Sequence, residues 1–520
     1  MDLQNLADEV WDGILARDPW AAERAGREVT VLPDGGPEAV HRQAATARAT
    51  LARLDAVPVA DADRLTAAFL RDHLEHEVAE TERFWYRFPV TAYSAMALAD
   101  QRTSMTGVDL AAPEGAERLR ALFDSHVCAV EQLRATLAGQ RARGVRLPRS
   151  AVGPALDTMR GHAAAGARLP VPAAALTRLG AAFDALITDI ADHAAAGPAE
   201  GGMHHYPGGD ECYAGLIRLH TGLDLTAERI HEIGLSEVDR LTARIGDELG
   251  ITDEAAHRAR LNADPATFAA DPAEVERRLQ GHLDRVLPML AGQFAKLPAA
   301  PFRLKRLDAS LEADMTWGYY DVPGADGCGY YYYNGSDLPN RPMVQAASLI
   351  LHEALPGHHL QIGRQLENDR LHPLRREFTA QRTFAIGGYC EGWAEYAAGL
   401  GYDWGLYEDP VDRYGRLCSE RFHAARLVVD TGLNALGWTF ERAGAYLRGT
   451  GFLSEVEIGT ELVRYAVDDP GQALGYHLGH WYLRELRGTT DALTFHEAVL
   501  DEGPLPLWLL GEHLGGAPVR

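Results

Sequence analysis

Four side chains that can bind a metal or move a proton occur within eight residues, in the segment His-Glu-Ala-Leu-Pro-Gly-His-His at positions 352–359. A common zinc-protease motif has two histidines four residues apart on one helix face, with a glutamate beside the first that activates a water molecule. In this chain Pro356 occupies the position of the second histidine. The segment therefore has the residue types of a zinc site, but a different spacing.

This spacing requires an interrupted helix. His358 and His359 follow His352 by six and seven residues, and on a straight helix they would lie about 9 to 10 Å farther along the axis. Two ligands that each approach one zinc ion to about 2.1 Å cannot be so far apart. Pro356 and Gly357 can interrupt the helix, because proline removes a backbone donor and glycine permits unusual dihedral angles. We therefore predict a zinc site on a broken helix, with His352 and either His358 or His359 as ligands.

A simpler interpretation is that His352 is a core histidine held by hydrogen bonds and that residues 356–359 form a surface turn. For a single histidine that interpretation would be preferred. The clustering of four side chains of zinc-ligand or general-base type beside a Pro-Gly break favours the metal site.

A third ligand is expected from another helix. Glu391 and Glu395 lie four residues apart, so they would share one helix face. Two imidazoles and a carboxylate form the ligand set of thermolysin-like enzymes, which leaves one position open for water. We assign Glu391 as the ligand and Glu395 as the group that hydrogen-bonds an imidazole of the site. The alternative is a solvated helix face, against which the neighbouring Trp393 and Tyr396 argue.

Further residues would be needed for hydrolysis of a carbonyl compound. Glu353 would be the general base that takes a proton from the attacking water. The developing oxyanion needs hydrogen-bond donors, for which Tyr476 and His477, and less strongly His480, are candidates. Each of these three residues could instead be a packing residue on a late amphipathic helix.

Arginine and tyrosine side chains are the candidates for substrate contacts. Arginine can hold a substrate carboxylate through two N–H groups, and the candidates are Arg426, Arg464 and, just before the motif, Arg341. Each could instead pair with one of the chain's many acidic residues. The tyrosine run 330–333 could be an edge strand that binds an extended peptide through main-chain hydrogen bonds. Because alternate side chains face the substrate, we assign Tyr331 and Tyr333 to it.

The elements that position these residues are predicted to be mainly α-helical. Apolar residues recur at spacings of three and four over residues 1–200, which we take as an N-terminal helical region. Residues 201–520 would form the catalytic helical region, with the small sheet and the metal site, and the two regions are expected to form one compact unit with an active-site cleft. Clustered Gly, Tyr and Trp near residues 303–334, including 315–324 and 329–334, predict a small β-sheet. The predicted fold class is therefore mainly α, a large helical fold with a small sheet and a zinc-binding broken helix.

Composition narrows the classes of partner. With 50 Lys and Arg against 74 Asp and Glu, the net charge of −24 argues against nucleic acid and anionic membranes as partners. The acidic N-terminus does not resemble a secretory signal, and no apolar run reaches the roughly 18 residues of a membrane span. We expect a cytoplasmic protein that acts on a small peptide or amino-acid-like substrate. The five scattered cysteines are expected to be reduced and mostly buried, and a homodimer is one expectation for the assembly.

The motif and its surroundings resemble a known family. Residues 352–361, His-Glu-Ala-Leu-Pro-Gly-His-His-Leu-Gln, followed by Glu-Gly-Trp-Ala at 391–394, are similar to the bacterial domain-of-unknown-function family 885 (DUF885). Its members are regarded as zinc metallopeptidases, distantly similar to the helical carboxypeptidases of the gluzincin group. Further likeness at 213–234, 430–438 and 470–476 extends the resemblance over most of the chain.

The resemblance implies particular roles. By it, His352, His358 and Glu391 match the zinc ligands and Glu353 the general base. It favours His358 over His359 as ligand, because the family pattern allows other residues at the position of His359.

Two departures from the family pattern lie near the predicted site. Asn434 stands where the family usually has histidine, and we assign it to substrate contact because asparagine can still donate a hydrogen bond. Glu395 and Ala398 stand where the family has Leu and Glu. These departures leave room for a changed substrate or reaction.

The favoured function is therefore a zinc-dependent hydrolase of peptide or amide bonds. One alternative is a metal-dependent biosynthetic enzyme that acts on an amino-acid-like metabolite. A helical di-iron protein would need Glu-x-x-His pairs, and none occurs near Glu391. A non-catalytic binding or scaffold protein is the remaining alternative, and it would be insensitive to Glu353→Gln.

Overall fold

The computed structural model describes residues 2–194, 196–309, 311–312, 317–324, 326–378, 386–450 and 453–516. The fold is mainly helical with a small β-sheet, as the sequence predicts. In chain order the helices are α1 (Leu3–Leu15), α2 (Pro19–Arg24), α3 (Pro37–Leu54), α4 (Arg64–Arg83), α5 (Met96–Thr106), α6 (Gly115–Ala142), α7 (Arg149–Gly166), α8 (Ala173–Ala194), α9 (Gly209–Thr221), α10 (Ala227–Leu249), α11 (Glu254–Ala263), α12 (Pro272–Val286), α13 (Ala346–Glu353), α14 (His358–Leu366), α15 (Gly387–Gly399), α16 (Pro410–Asn434), α17 (Phe440–Thr450), α18 (Glu455–Val463), α19 (Leu474–Arg487), α20 (Ala492–Leu500) and α21 (Leu507–His513).

The sheet contains the tyrosine run as its middle strand. Within the described residues its strands are β1 (Phe302–Arg306), β2 (Gly318–Asp321) and β3 (Gly329–Tyr333), in the order β1-β3-β2. Strand β3 pairs parallel to β1 and antiparallel to β2. The expectation that residues 330–333 form a peptide-binding edge strand is therefore wrong, because both edges of β3 already carry a neighbouring strand. Met315 and Thr316, within the predicted strand segment, lie outside the described residues.

The chain forms two compact units. The first comprises Met1–Leu216, Leu433–Phe440 and Glu461–Pro470, and the second comprises Ile217–Gly432, Glu441–Thr460 and Gly471–Arg520. In the first unit, α6 and α7 both pack against α8, and the apolar faces of these amphipathic helices form a core. The predicted division of function between residues 1–200 and 201–520 stays a prediction.

In the second unit, glycines allow α15 and α19 to pack unusually closely. A Cβ atom on Gly392 would lie 2.4 Å from the Cα of Gly479, and a Cβ atom on Gly479 would lie 2.0 Å from the carbonyl oxygen of Gly388. Larger side chains at these positions would push the two helix backbones apart. Since α15 also packs against α13 and α14, this close contact fixes the helix that carries Glu391 and Glu395.

Two further expectations can be compared with the fold. Among the described residues, none of the helices combines the length and the apolar composition needed to cross a membrane. The cysteines are free thiols; Cys128 is exposed, and the other four are buried.

Candidate metal centre

The predicted break in the histidine segment lies between α13 and α14. Helix α13 ends at Glu353, and α14 begins at His358 after Gly357. A Cβ atom on Gly357 would lie only 1.8 Å from the carbonyl oxygen of His352, so the close approach requires glycine. The indole Nε1–H of the buried Trp393 donates a 3.0 Å hydrogen bond to the carbonyl oxygen of Pro356 and holds the break against α15.

The break brings together the side chains that were predicted as ligands. Oε2 of Glu391 lies 3.5 Å from Nε2 of His352 and 3.3 Å from Nε2 of His358. The two imidazole rings are nearly perpendicular, with centroids 4.8 Å apart, and the ligand atoms of all three residues lie within 4.8 Å of one another.

The three atoms converge in close ion-pair contacts that do not meet hydrogen-bond geometry. Oε2 of Glu391 is buried and has no hydrogen-bond partner within the described part of the chain. A buried carboxylate oxygen without a partner is unfavourable unless a cation compensates it. Two imidazole nitrogens and one carboxylate oxygen are also ligands that zinc accepts. The residues therefore fit a zinc ion.

The charges of the site favour a cation as well. Burial by itself would raise the pKa of Glu391, but the imidazoles of His358 and His352 outweigh it and hold that pKa below its ordinary value. Burial opposes protonation of His352, yet the carboxylates of Glu391 and Glu395 raise its pKa to about 10. Burial also raises the pKa of Glu353, which the two histidines partly oppose. The carboxylates of Glu391 and Glu395 therefore favour a positive charge beside them.

Glu395 contacts the edge of the His352 ring that faces away from Glu391. Nδ1 of His352 is 2.8 Å from Oε1 of Glu395. Because a carboxylate only accepts hydrogen bonds, Nδ1 carries a hydrogen, and Nε2 is the nitrogen that faces Glu391 and His358 and would give up its proton to a bound metal. This is the arrangement that a histidine ligand needs.

His359 is turned away from the three converging atoms. Its Nε2–H donates to the carbonyl oxygen of Ala300 at 3.0 Å, and its Nδ1 lies 3.0 Å from the hydroxyl of Tyr320. Both ring nitrogens are therefore engaged elsewhere, so His358 and not His359 joins His352 and Glu391 in the cluster. The spacing alone left this choice open, and the direction of α14 decides it.

The two tyrosines assigned to substrate have different surroundings. Tyr331 is fully buried, and its hydroxyl has no hydrogen-bond partner among the residues that the structure describes. Burial raises the pKa of Tyr331, and the charge of Glu353 adds to this effect, so the hydroxyl lies within electrostatic range of the predicted base. Tyr333 instead donates a 2.8 Å hydrogen bond to Oε2 of Glu276.

Tyr476 and Arg426 lie beside the converging ligands. The Tyr476 ring stacks on His352, with centroids 6.2 Å apart and planes 10° apart, and the guanidinium carbon of Arg426 lies 4.7 Å from the centre of the Tyr476 ring. Tyr476 also stacks on His423, whose Nδ1 is 3.1 Å from Oε2 of Glu395. Sequence reasoning did not select His423.

The remaining candidates have other partners. His477 is only 1% exposed and its Nε2 lies 3.2 Å from Oε2 of Glu237, so it belongs to the interior of the second unit and does not provide a surface for direct substrate contact. His480 is also buried. Nε of Arg341 donates to the carbonyl oxygen of Ser336.

Asn434 and Arg464 belong to the first unit. The side-chain oxygen of Asn434 accepts the backbone N–H of Met203 at 3.1 Å, and its amide donates to the carbonyl oxygen of Tyr465 at 2.9 Å. Arg464 lies 3.6 Å from Glu461. The structure thus gives Asn434 a function in holding the first unit together.

Residues 19–514 match the family described as bacterial protein of unknown function (DUF885), and the chain belongs to that family. A comparison with curated proteins gave no match. The fold is shared with two solved structures, both named as putative lipoproteins. The crystal structure from Colwellia psychrerythraea has a TM-score of 0.80 and 23% identity, over 94% of this chain and 92% of that one. The structure from Shewanella oneidensis, described as of unknown function, has a TM-score of 0.73 and 16% identity, over 98% of each chain.

Proposed function

We propose that this protein is a zinc-dependent hydrolase that cleaves a peptide or amide bond in a small peptide-like substrate. The observation that carries the proposal is the convergence of His352, His358 and Glu391, with Glu391 lacking a hydrogen-bond partner for Oε2 among the described residues. The adjacent Glu353 supplies a base. Two imidazoles, one carboxylate and a neighbouring carboxylate base form a set that suits hydrolysis at a metal.

The side chains of the candidate site have different parts in this reaction. Zinc held by the three ligands would supply Lewis-acid activation of the attacking water and of the substrate carbonyl. The carboxylate of Glu353 takes a proton from the attacking water and returns it to the leaving nitrogen. The hydroxyl of Tyr476 is the donor that could bind the developing oxyanion, and Arg426, beside Tyr476, is the cation for a substrate carboxylate.

Metal analysis and a charge-neutral variant of the base test the proposal together. We expect about one zinc per chain after reconstitution, and loss of that zinc in His352→Ala. Glu353→Gln should keep its zinc but lose about 10²- to 10⁴-fold in turnover of a peptide library, because the base is gone while the ligands remain. Glu228→Gln, on the exposed surface of α10, is the matched control and should retain activity.

The outcomes separate the alternatives. A wild-type protein that stays metal-free after reconstitution contradicts the zinc site. A zinc-loaded protein that turns over no peptide, but converts an amino-acid-like metabolite in a Glu353-dependent way, supports the biosynthetic alternative. Unchanged function in Glu353→Gln supports a non-catalytic role.

A cytoplasmic location and a homodimeric assembly also belong to the proposal. The net charge of −24 supports a small-molecule partner over nucleic acid or an anionic membrane. The rival location is a lipid-anchored one, since the two similar structures carry lipoprotein names. Cell fractionation of the native protein separates the two locations, and light scattering gives the assembly.

A further inference from the structure

The Glu395 carboxylate is the centre of a buried cluster of charges behind the candidate metal centre. It is 1% exposed, and both of its oxygens are engaged. Oε1 accepts from Nδ1 of His352 at 2.8 Å, and Oε2 accepts from Nη1 of Arg416 at 2.9 Å. A carboxylate buried this deeply needs a compensating cation in direct contact, and Arg416 is that cation.

Arg416 connects the helices that carry the predicted ligands. Its side chain is fully buried. Nη1 also lies 3.2 Å from Oγ of Ser348, which is one turn before His352 on α13. Nη2 lies 3.3 Å from the backbone oxygen of Glu395 on α15. One guanidinium on α16 therefore bonds to α13 and α15 at the same time.

The cluster continues away from the metal centre with alternating charges. Nη2 of Arg416 lies 3.4 Å from Glu420, and Glu420 accepts from Arg240 at 2.9 Å. Arg240 bonds to Glu237, which lies 3.2 Å from His477. Each charged side chain in this buried row has an opposite charge beside it. Glu420 therefore fixes the far side of the Arg416 guanidinium and limits its movement.

We propose that Arg416 is a positioning residue of the metal centre, which fixes Glu395 against Nδ1 of His352 and so keeps Nε2 of His352 directed at the metal. The proposal rests on the zinc site proposed above. Arginine suits this role because its planar guanidinium offers five donors in a fixed geometry and always carries its charge. Without it, the Glu395 carboxylate would lose one of the contacts that set its orientation, and the His352 ring would lose its fixed hydrogen-bond acceptor.

The experiment compares two buried arginines on the same helix. Arg416→Met removes the contacts to Glu395 and Ser348. Arg421→Met removes an arginine that is 1% exposed and bonds to Glu254 at 2.8 Å, away from the ligands. The zinc dissociation constant is measured by competition with a chromophoric chelator, the visible spectrum is recorded with cobalt in place of zinc, and the melting temperature is measured without metal.

We expect Arg416→Met to raise the zinc dissociation constant about 10- to 100-fold, the range found when groups that orient a histidine ligand are removed. The cobalt spectrum should change in the same variant. Arg421→Met should lower the metal-free melting temperature to a similar extent, yet keep the zinc affinity and the cobalt spectrum of the wild type. Arg416→Lys should give an intermediate affinity, because an ammonium group cannot make all the guanidinium contacts.

Three outcomes would overturn the proposal. The first is zinc affinity within about twofold of wild type in a folded Arg416→Met protein. The second is an equal loss of affinity in Arg421→Met, which would indicate general destabilisation. If Arg416→Met does not fold, the third outcome is that Arg416→Lys binds zinc with the affinity of the wild type. A wild-type protein that binds no zinc would refute the zinc site itself, whereas normal wild-type binding with an unaffected Arg416 variant refutes the role of Arg416 alone.

Discussion

Replacing Gly357 with alanine tests whether the break between α13 and α14 is what assembles the ligands. A Cβ atom at this position would lie 1.8 Å from the carbonyl oxygen of His352 and 2.5 Å from that of Leu351, whereas real Cβ contacts essentially never fall below 3.0 Å. Both neighbours are backbone atoms of α13, which cannot rotate away as a side chain can. One helix end must therefore move by more than about 1 Å relative to the other.

Such a movement is large for a metal site. Overpacking of this kind destabilises a protein by about 1–3 kcal/mol, and the backbone contacts place Gly357→Ala at the upper end of that range. Ligand distances to zinc are held to within about 0.2 Å, so a displacement of His358 by about 1 Å removes a ligand. Removal of groups that only orient a ligand weakens metal binding about 10- to 100-fold, and we expect a loss of at least about 100-fold here.

Urea denaturation and chelator competition measure the two effects. Gly281→Ala is the matched control, because Gly281 lies within α12 and a Cβ atom there would meet nothing within 4 Å. In the control, alanine should stabilise the helix by about 0.5–1 kcal/mol and leave zinc affinity unchanged. If Gly357→Ala has the stability and zinc affinity of the wild type, the break is not what brings His358 to the site.

Two further changes test the packing of the break and a charged group in the first unit. Trp393→Phe removes the donor to the carbonyl oxygen of Pro356 and should lower the free energy of unfolding by about 1–3 kcal/mol, because a buried acceptor is left unsatisfied; urea denaturation measures it. Burial raises the pKa of Asp468 from 3.8 to about 6. The protonated form is therefore favoured in the folded state, so its contribution to stability is complete below about pH 4 and is lost as the pH rises to about 6. Asp468→Asn, which mimics the protonated form, should be more stable than the wild type by up to about 3 kcal/mol above pH 6, and by much less near pH 4.

Controls for these two predictions come from exposed residues of the same types. Trp20→Phe, at a tryptophan that is 37% exposed, should change the free energy of unfolding by less than about 0.5 kcal/mol. Asp157→Asn, at a well-exposed carboxyl, is a surface substitution that should change the free energy of unfolding by less than about 0.5 kcal/mol. An unchanged stability of Trp393→Phe, or a stabilisation by Asp468→Asn that is equal at pH 4 and pH 8, contradicts the respective argument.

Features governed by local chain chemistry were predictable from the sequence. The helical class follows from the periodicity of apolar residues, and the small sheet follows from the Gly- and Tyr-rich segments. The break after Glu353 follows from Pro356 and Gly357, since each acts on the backbone of its immediate neighbours. The convergence of His352, His358 and Glu391 was predicted from residue types, spacing and the family resemblance together.

Features that depend on which distant elements meet were not predictable in the same way. The strand segments were recognised, but not their order, so the tyrosine run was assigned to an edge and lies in the middle. Asn434 was selected because it departs from the family pattern, yet its amide bonds to Met203 and Tyr465. The signal for Arg416, Glu420 and His423 was present as polar residues at i, i+4 and i+7 along one helix.

The sequence by itself determined the chemical groups available at the site: two imidazoles, a carboxylate predicted as a ligand and a carboxylate predicted as a base, with a break that lets the two imidazoles meet. The spacing left two imidazoles open and the resemblance favoured His358; tertiary structure brings His358 into the cluster, because the contacts of His359 with Ala300 and Tyr320 lie about 40 to 60 residues away in the chain and orient α14. Tertiary structure also decided that Arg416 is buried. A charged residue in a helix is ordinarily exposed, and only its meeting with Glu395 and Glu420 makes burial favourable.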